Sequence, residues 1–545
     1  MKPKNFRSFS LLLLLLALPM MGCGLFGIGD DGIPNDAVVV NVIANTTVAP
    51  WLETAVTTFN TSETETSSGD PVFVVLNAVE SGQAIDQLIN DPSLALWLPE
   101  EAVWTDVLAD AGDDSFQDDC VSVAQSPLVI GMWREVAEAL GWPGLPLGWL
   151  DIGSLAADPA AWNYYSGGTL GQSFKLGHTH PGLSGSGAST LLAIVQAAES
   201  KTEAVSVGDI GQPIVQASVG AFEGGVTWFS SSTQSLAETM AERGVDYLTA
   251  GVMYEANVAQ LAGSDIVAIY PLEGTFMADF PACVRNSATS AEKEAAVLFR
   301  DYLLNEARQQ SAAANGLRPV ASEISLAASD AIDPSQPATI FDAPSTNTIF
   351  AVQELWQEAR KDVNLVMLLD TSGSMRGSKI ENMREAAVQF VQQMGDDDYL
   401  SLIAFSTEPE LIVRHVLVGE NRDKIVNAIV ELEAVGDTTL FDAIGDGAAL
   451  LTQTTLPSTA NAMVVLTDGQ DTRSYRFNSI TAMQEATANN ATVFTIAYGG
   501  DADENTLEQL AIQANGNFFI GDEASIAAIY EEMSAAFGGS VGVGR

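Results

Sequence analysis

The sequence predicts an α/β protein of two or three domains with mainly parallel sheets. Its 545 residues exceed the length at which one hydrophobic core keeps growing. Apolar residues make up 47% of the chain, which is typical of a globular protein rather than a disordered one. Strand-like runs alternate with amphipathic helical stretches, first from about residue 37 to 335 and again from residue 363. This alternation is typical of α/β architectures, so we expect two α/β regions joined by a linker.

In the first region, residues 37–335, apolar runs predict the strands and amphipathic stretches predict the helices. The predicted strands are 38–44, 72–76, 121–133 and 266–276. The predicted helices are 51–59, 189–199 and a long helix over 291–314. Residues 336–362 are predicted to be a linker, because Ala, Ser, Asp and Pro dominate the stretch from 322 to 348.

The second region is predicted to span residues 363–538, followed by a short tail over 539–545. It starts with an intensely apolar strand over 365–369, and its later strands are 400–405, 462–466 and 492–497. Helical stretches lie between them at 380–394, 424–432 and 440–451. Strands that alternate with helices in this way predict a doubly wound, Rossmann-like sheet.

The charge balance excludes one class of partner. The chain carries 70 acidic against 23 basic residues, for a net charge of -47. Such a surface repels phosphate backbones, so we expect no nucleic-acid binding. It also attracts counter-cations, which suits a protein that binds a divalent metal, although a solvated acidic surface is the plainer explanation.

The N-terminus has the pattern of a bacterial export signal. Three basic residues precede an apolar run over 11–18 that is too short to span a bilayer. The segment 20–23, which ends in Cys23, resembles the lipobox of bacterial lipoproteins, where the cysteine becomes lipid-modified. Residues 1–23 would then be a lipoprotein signal peptide and 24–36 a tether, with simple cleavage nearby as the alternative. We therefore expect an extracytoplasmic protein of the cell envelope that is lipid-anchored to a membrane.

Two further cysteines, Cys120 and Cys283, remain in the exported chain. An even pair in an exported protein is compatible with a disulfide, and two independent buried thiols are the alternative. The sequence holds no C-x-x-C motif, so nothing indicates a thiol metal site or a redox site.

Oxygen-bearing side chains follow two apolar strands of the second region and precede one of its helices. The motif D-T-S-G-S begins at Asp370 and holds Ser372 and Ser374, and Asp468 ends the strand of V-V-L-T-D-G. Thr438 lies in a loop before the helix predicted at 440. In a doubly wound fold these loops meet at the carboxyl edge of the sheet, where ligand sites form. Carboxylate and hydroxyl oxygens are the hard donors that Mg²⁺ accepts.

These residues resemble the metal-ion-dependent adhesion site of von Willebrand factor A domains, and the resemblance covers roughly residues 363–538. It implies that Asp370, Ser372, Ser374, Thr438 and Asp468 bind Mg²⁺, or Mn²⁺ or Ca²⁺, with the aspartates acting directly or through water. The resemblance also implies that the cation accepts a carboxylate from a protein partner. The alternative is a metal that only holds the loops together. One departure is Asp437, where the family usually has glycine; it could alter metal preference or simply face solvent.

Residues 37–335 resemble bacterial extracellular solute-binding proteins of the two-lobed, periplasmic type. The resemblance implies that the chain crosses between lobes near 126–132 and again near 269–276, and that 291–319 closes the first lobe. It also implies that Cys120 and Cys283 lie near these crossovers, which makes a disulfide between them plausible.

Ligand candidates in this region precede predicted helices, where unpaired backbone N–H groups suit a small polar or anionic solute. They are Asn45, Thr46, Thr47, Ser81, Ser184, Ser186 and, from the resemblance, Tyr254. Serine-rich segments are also simply good helix caps. His178 and His180, two residues apart, could chelate a transition metal, but no third ligand lies near them in the sequence.

The leading hypothesis is therefore a lipid-anchored binding and adhesion protein that recognises a protein partner through its metal site. The alternative is a solute receptor of an ABC transporter that carries an accessory von Willebrand factor A domain. We do not expect an enzyme, because Ser-His-Asp, H-E-x-x-H and G-x-S-x-G arrangements are absent from the sequence. Cytoplasmic chelatase machines also use related domains, but the export signal argues against that role.

Overall fold

The computed structural model describes residues 33–34, 36–171, 173–261, 263–456, 459–488 and 491–539. Cys23, the predicted signal peptide, most of the predicted tether and most of the C-terminal tail lie outside these residues. Within them, no helix combines the length and the apolar character needed to cross a membrane.

The first region alternates strands and helices, as the sequence predicts. Its strands are β1 (Val38–Ala44), β2 (Val72–Ala78), β3 (Leu94–Leu98), β4 (Cys120–Ser122), β5 (Ala124–Trp133), β6 (Leu176–Thr179), β7 (Val226–Ser230), β8 (Ala250–Tyr254), β9 (Ile266–Ile269), β10 (Met277–Ala278), β11 (Pro281–Val284) and β12 (Arg318–Pro319). Its helices are α1 (Ala49–Asn60), α2 (Ser81–Asn90), α3 (Val103–Asp110), α4 (Arg134–Ala139), α5 (Trp149–Ala157), α6 (Pro159–Ser166), α7 (Gly185–Glu199), α8 (Val207–Ile210), α9 (Pro213–Glu223), α10 (Thr233–Arg243), α11 (Glu255–Gln260), α12 (Ser290–Leu303), α13 (Glu306–Ala314) and α14 (Thr346–Ala359).

Two sheets divide this region into two lobes. The first lobe is built on the sheet β2-β1-β3-β11-β4, in which β1 pairs in parallel with β2 and β3. The second lobe is built on β10-β5-β8-β6-β7, with β9 and β12 also paired to β5. Residues that follow β2 and β3 accept hydrogen bonds from residues that follow β6, so the carboxyl ends of these strands lie at the junction between the lobes.

Two predicted elements are divided in the structure, and a third is shorter than predicted. The predicted strand 121–133 consists of β4 in the first sheet and β5 in the second, so the crossover lies between them. The predicted strand 266–276 ends at Ile269, and β10 begins only at Met277. The predicted long helix divides into α12 and α13, because the Asn305 side chain accepts a hydrogen bond from Arg308 N and caps a new helix.

Cys120 and Cys283 form a disulfide that links β4 to β11. The two residues face each other across the antiparallel pair formed by these strands. The disulfide therefore stabilises the edge of the first lobe directly before the chain crosses into the second.

The predicted linker differs from the structure in its second half. Ser345 caps α14, and its hydroxyl accepts a hydrogen bond from Thr348 N. Ile349, Val352 and Trp356 of α14 are buried in the core of the first region. The stretch contains a regular apolar period behind a polar cap, and this signal outweighs the Pro- and Ser-rich composition upstream of it.

The second region has one mainly parallel sheet with helices on both faces. Its strands are β13 (Asp362–Asp370), β14 (Tyr399–Phe405), β15 (Pro409–Leu417), β16 (Thr459–Thr467), β17 (Thr492–Tyr498) and β18 (Phe518–Gly521), in the order β15-β14-β13-β16-β17-β18. Its helices are α15 (Ser378–Gln393), α16 (Val418–Val430), α17 (Leu440–Thr454), α18 (Ser479–Thr487), α19 (Glu504–Gln513) and α20 (Ile526–Ala536). Among the described strands of this sheet, only β15 runs antiparallel to its neighbour. Separate apolar clusters cover the two faces of the sheet.

The two regions contact each other directly. Helix α20 packs against β7, and its Ala535 is buried against Leu183. The His180 ring hydrogen-bonds the Gly539 carbonyl at 2.8 Å. On the other side, Arg360 at the end of α14 forms a buried ion pair with Asp398, at 3.1 Å.

Candidate functional site

The first candidate site lies at the carboxyl edge of the second region's sheet. Strands β13 and β16 are neighbours and run in parallel, with Leu369 opposite Leu466. Asp370 is the last residue of β13, and Asp468 follows the last residue of β16. Both aspartates are fully buried. The parallel register alone therefore brings the two carboxylates to one edge.

Hydrogen bonds connect the residues of D-T-S-G-S to Asp468. The Ser372 and Ser374 hydroxyl oxygens are 2.9 Å apart, and the Ser374 hydroxyl donates to Asp468 Oδ1 at 2.7 Å. Asp370 accepts from Ser372 N at 2.8 Å and from the Thr467 hydroxyl at 2.5 Å. These contacts hold four of the five predicted ligands in one group.

Hydrogen bonds join the loop that carries Thr438 to the loops that follow β13 and β16. Gly373 N donates to the Gly436 carbonyl at 3.0 Å, and Thr438 N donates to the Thr472 hydroxyl at 3.0 Å. A Cβ atom at Gly469 would lie 3.8 Å from both the Ser374 and the Thr438 hydroxyl oxygens. The fifth predicted ligand therefore faces the same small space as the other four.

Charge at this site is only partly balanced by the protein. Burial raises the pKa of Asp370 to about 6, although hydrogen bonds from Thr467 and Ser372 act in the opposite direction. The Lys379 ammonium lies 2.6 Å from Asp468 Oδ2. The described residues contain no cluster of three or more acidic, histidine or cysteine ligands. The candidate site does not meet that description, because only two of its five donors are acidic and the other three are hydroxyls. Its oxygen donors nevertheless fit a hard divalent cation.

Asp437, which stands where the family usually has glycine, has a partner outside the five predicted ligands. Its carboxylate pairs with Arg473 at 3.1 Å, and both side chains are about half exposed. Of the two readings open from the sequence, the structure therefore favours a solvent-facing acid.

A second candidate site lies between the lobes of the first region. Asn45, Thr47, Ser81, Ser184 and Ser186 are all buried there. Ser184 and Ser186 share hydrogen bonds with Thr233, at 3.3 and 2.8 Å, so their hydroxyls form a network. The structure thus brings together candidates that are up to 141 residues apart in the chain.

Two acids that the sequence does not single out, Glu80 and Glu100, lie in this cleft. Asn45 Nδ2 donates to Glu80 Oε2 at 2.9 Å and to Glu100 Oε1 at 2.7 Å. The Thr46 hydroxyl also donates to Glu80, and the Ser81 hydroxyl donates to Glu100. The sequence does contain a signal for these acids as ligand candidates. Each acid follows a parallel strand, and Glu80 directly precedes the candidate Ser81.

Tyr254 lies close to these acids, and Thr47 connects the lobes. The Tyr254 hydroxyl is buried and has no hydrogen-bond partner in the part of the chain that the structure describes. Burial, followed by the charges of the nearby glutamates, raises the pKa of Tyr254 well above its ordinary value. The Thr47 hydroxyl donates to Asn257 Oδ1 at 3.3 Å.

The two histidines have separate structural partners. His178 contacts Glu223 Oε1 at 3.0 Å through Nε2 and the Thr179 carbonyl at 2.8 Å through Nδ1. His180 contacts the Gly539 carbonyl and Gly182 N, and burial lowers its pKa to about 3. All four ring nitrogens are engaged, so the arrangement does not favour a transition-metal pair.

Sequence profiles of known families match both regions. The profile described as bacterial extracellular solute-binding protein matches residues 40–318, just over half of the chain. The profile described as von Willebrand factor type A domain matches residues 364–532.

Curated relatives resemble the second region. Inter-alpha-trypsin inhibitor heavy chain H4 of Sus scrofa is 29% identical over 170 residues, which are 30% of this chain and 18% of that protein. The uncharacterized protein sll0103 of Synechocystis is 29% identical over 163 residues, or 29% of this chain and 38% of that protein. The chain therefore spans less than two fifths of the length of either relative.

Solved structures resemble each region separately. The sulfate-binding protein SubI of Mycobacterium tuberculosis aligns with 18% identity and a TM-score of 0.39, covering 53% of this chain and 88% of that one. A von Willebrand factor type A protein from Catenulispora acidiphila aligns with 23% identity and a TM-score of 0.30, covering 32% of this chain and 42% of that one.

Proposed function

The chain belongs to the bacterial extracellular solute-binding protein family, and from that premise we propose that it is a lipid-anchored, extracytoplasmic adhesion protein. It has a solute-binding domain followed by a von Willebrand factor type A domain. In this proposal the second domain captures a protein partner through a divalent cation. Both kinds of domain typically bind rather than catalyse, which agrees with a binding role.

The observation that carries the proposal is the convergence of oxygen donors at one sheet edge. Asp370 and Asp468 supply carboxylates. Ser372 and Ser374 supply hydroxyls that hydrogen-bond each other, and the Ser374 hydroxyl also donates to Asp468. Thr438 supplies the third hydroxyl from a neighbouring loop. We propose that these five residues hold Mg²⁺, or Mn²⁺ or Ca²⁺, as oxygen ligands.

Such a site suits recognition of an acidic group. Only two of the five side chains can carry a full charge, so a bound cation would retain strong attraction for a further carboxylate. When bound, the cation would supply an open coordination position for a Glu or Asp of the partner. The loops that hold the five residues are tied together by hydrogen bonds, so the donors are held in place before a partner arrives.

The family membership suggests an extracytoplasmic location, and we propose that Cys23 provides the lipid anchor. A metal site anchored in this way would lie in the cell envelope, where divalent cations and other surface proteins are accessible. A solute receptor for an ABC transporter is the second candidate, and the family membership is the observation that favours it. Its expected ligand is a small polar or anionic solute.

Capture from the native envelope tests the proposal. The protein with Asp370→Ala should lose Mg²⁺-dependent capture of its partner, while Asp437→Asn, a matched change at an exposed acid, should keep it. EDTA should abolish capture by the unchanged protein. Capture that persists in EDTA, or that survives Asp370→Ala, would show that the metal site is not the adhesive surface.

A further inference from the structure

Two acidic side chains of the first lobe reach into the cleft between the lobes. Glu80 lies between β2 and α2, and Glu100 lies two residues after the end of β3. Both side chains are fully buried, although an isolated buried carboxylate is costly. The cleft must therefore supply hydrogen-bond donors that offset the cost of burying these two acids.

The second lobe supplies several of those groups. Thr233 N donates to Glu80 Oε1 at 2.9 Å, and the Ser184 hydroxyl donates to Glu80 Oε2 at 2.7 Å. Gly185 N donates to Glu100 Oε1 at 3.0 Å. Each acid thus accepts hydrogen bonds from both lobes, because Asn45 of the first lobe also donates to both.

The backbone donors of the second lobe belong to two helix N-termini. Gly185 is the first residue of α7, which is 15 residues long, and Thr233 is the first residue of α10, which is 11 residues long. Free N–H groups at such positions form a favourable site for an anion. Here the groups that they contact are the chain's own carboxyl oxygens.

The electrostatics of the cleft oppose any additional anion. Burial and the neighbouring Glu80 raise the pKa of Glu100 well above its ordinary value, as expected for two acids that share one site. The buried Tyr254 hydroxyl, which has no partner among the described residues, lies close enough for Glu100, Glu101 and Glu80 to raise its pKa. The cleft is also a poor site for a cation. Backbone N–H groups already donate to the acid oxygens, and an N–H group cannot act as a ligand of a cation.

From this geometry we propose that Glu80 and Glu100 are built-in substitutes for an anionic solute, which hold the two lobes closed and exclude free oxyanions of the sulfate class. The first region then serves as a closed support for the von Willebrand factor type A domain rather than as a sulfate-type receptor. This inference does not depend on the metal site, because none of the cleft residues is one of its five ligands.

The test is a sulfate titration of the full chain by calorimetry. The double variant Glu80→Ser, Glu100→Ser keeps the helix N-termini and the hydroxyls but removes both internal carboxylates. We expect it to bind one sulfate per chain, at least roughly a hundredfold more tightly than the unchanged protein, since like charges brought together cost several kcal/mol. Small-angle scattering should show a larger radius of gyration for this variant, which returns towards the original value when sulfate is added.

Glu101→Gln is the matched control. Glu101 is also buried and contacts the second lobe, but through the Ser189 hydroxyl at 3.2 Å rather than through a helix N-terminus. This variant should bind no sulfate and should keep the closed radius of gyration.

The unchanged protein provides a second measurement that does not depend on the folding of any variant. One-to-one binding of sulfate by the unchanged protein, with a dissociation constant in the micromolar range, would overturn the proposal. A folded double variant that binds no sulfate would overturn it as well. The absence of sulfate binding by the unchanged protein, together with a closed scattering profile in the absence of any solute, supports it.

Discussion

The charge of Lys379 affects the proposed metal site directly. Its ammonium lies 2.6 Å from Asp468 Oδ2 and is partly exposed, so it competes with any cation for this carboxylate. We expect Lys379→Met to raise the affinity for Mg²⁺ roughly two- to fivefold, which is the range for a partly exposed ion pair. Isothermal calorimetry measures the change, and Lys424→Met at an exposed lysine of α16 is the control. A decrease in affinity would mean that Lys379 supports the ligands instead of competing for them.

Glu101 should make the stability of the first region depend on pH. Burial, and then the charge of Asp279, raises the pKa of Glu101 from 4.5 to about 7. Between these values the folded protein binds the proton more tightly than the unfolded chain, so stability falls as the pH rises from 4.5 to about 7. Glu101→Gln removes this loss and should raise the free energy of unfolding at pH 8 by about 1–3 kcal/mol, with little change at pH 4.

Urea unfolding at the two pH values measures this effect. Glu101→Gln and the unchanged protein should differ at pH 8 and nearly coincide at pH 4. An equal difference at both values would show that Glu101 does not carry the proton.

At the scale of single residues, the sequence was more informative for the metal site than for the cleft. The five metal-site candidates share a pattern in which each follows a strand or precedes a helix, and the parallel register brings them together. Glu80 and Glu100 also follow strands, but the sequence does not indicate that they are buried, because an acid beside a predicted helix usually faces solvent. Only the closure of the two lobes shows that both are buried and hydrogen-bonded from opposite sides.

At the scale of elements, apolar runs predicted where strands occur but not where they divide. The polar residues Gln125 and Ser126 of the run over 121–133 lie inside β5, whereas the chain passes from one sheet to the other at Val123, between β4 and β5. The helix predicted over 291–314 divides at Asn305 for a local reason, the side-chain cap of α13. Short strands such as β6 and β11 were missed because four residues carry too little periodicity to identify them.

The disulfide between β4 and β11 should contribute substantially to the stability of the first lobe. It joins residues that are 163 positions apart, so it restricts the unfolded chain strongly. We expect Cys120→Ser, Cys283→Ser to lower the free energy of unfolding by about 2–5 kcal/mol. Thermal unfolding with and without reductant measures the effect, since reductant should destabilise the unchanged protein but not the double variant. An unchanged transition temperature in the variant would contradict a stabilising role.

At the scale of the whole molecule, the sequence predicted two α/β regions but not how they are joined. The composition of 322–348 predicts an interdomain linker, whereas α14, which begins at Thr346, packs into the first region. Arg360 at the end of α14 pairs with Asp398 of the second region. The loop that holds Ser184 also holds His180, which contacts Gly539 near the end of α20. Contacts of this kind depend on long-range packing, which no local pattern encodes.

The most direct test of the central proposal is a Mg²⁺ titration of the EDTA-treated full chain by calorimetry. We predict one Mg²⁺ per chain in the unchanged protein and in Asp437→Asn, whose exposed carboxylate pairs with Arg473. Binding should be lost in Asp370→Ala and in Ser374→Ala, which remove a carboxylate and a hydroxyl from the proposed set. Binding that persists in both of these variants, or its absence from the unchanged protein, would contradict the proposed metal site.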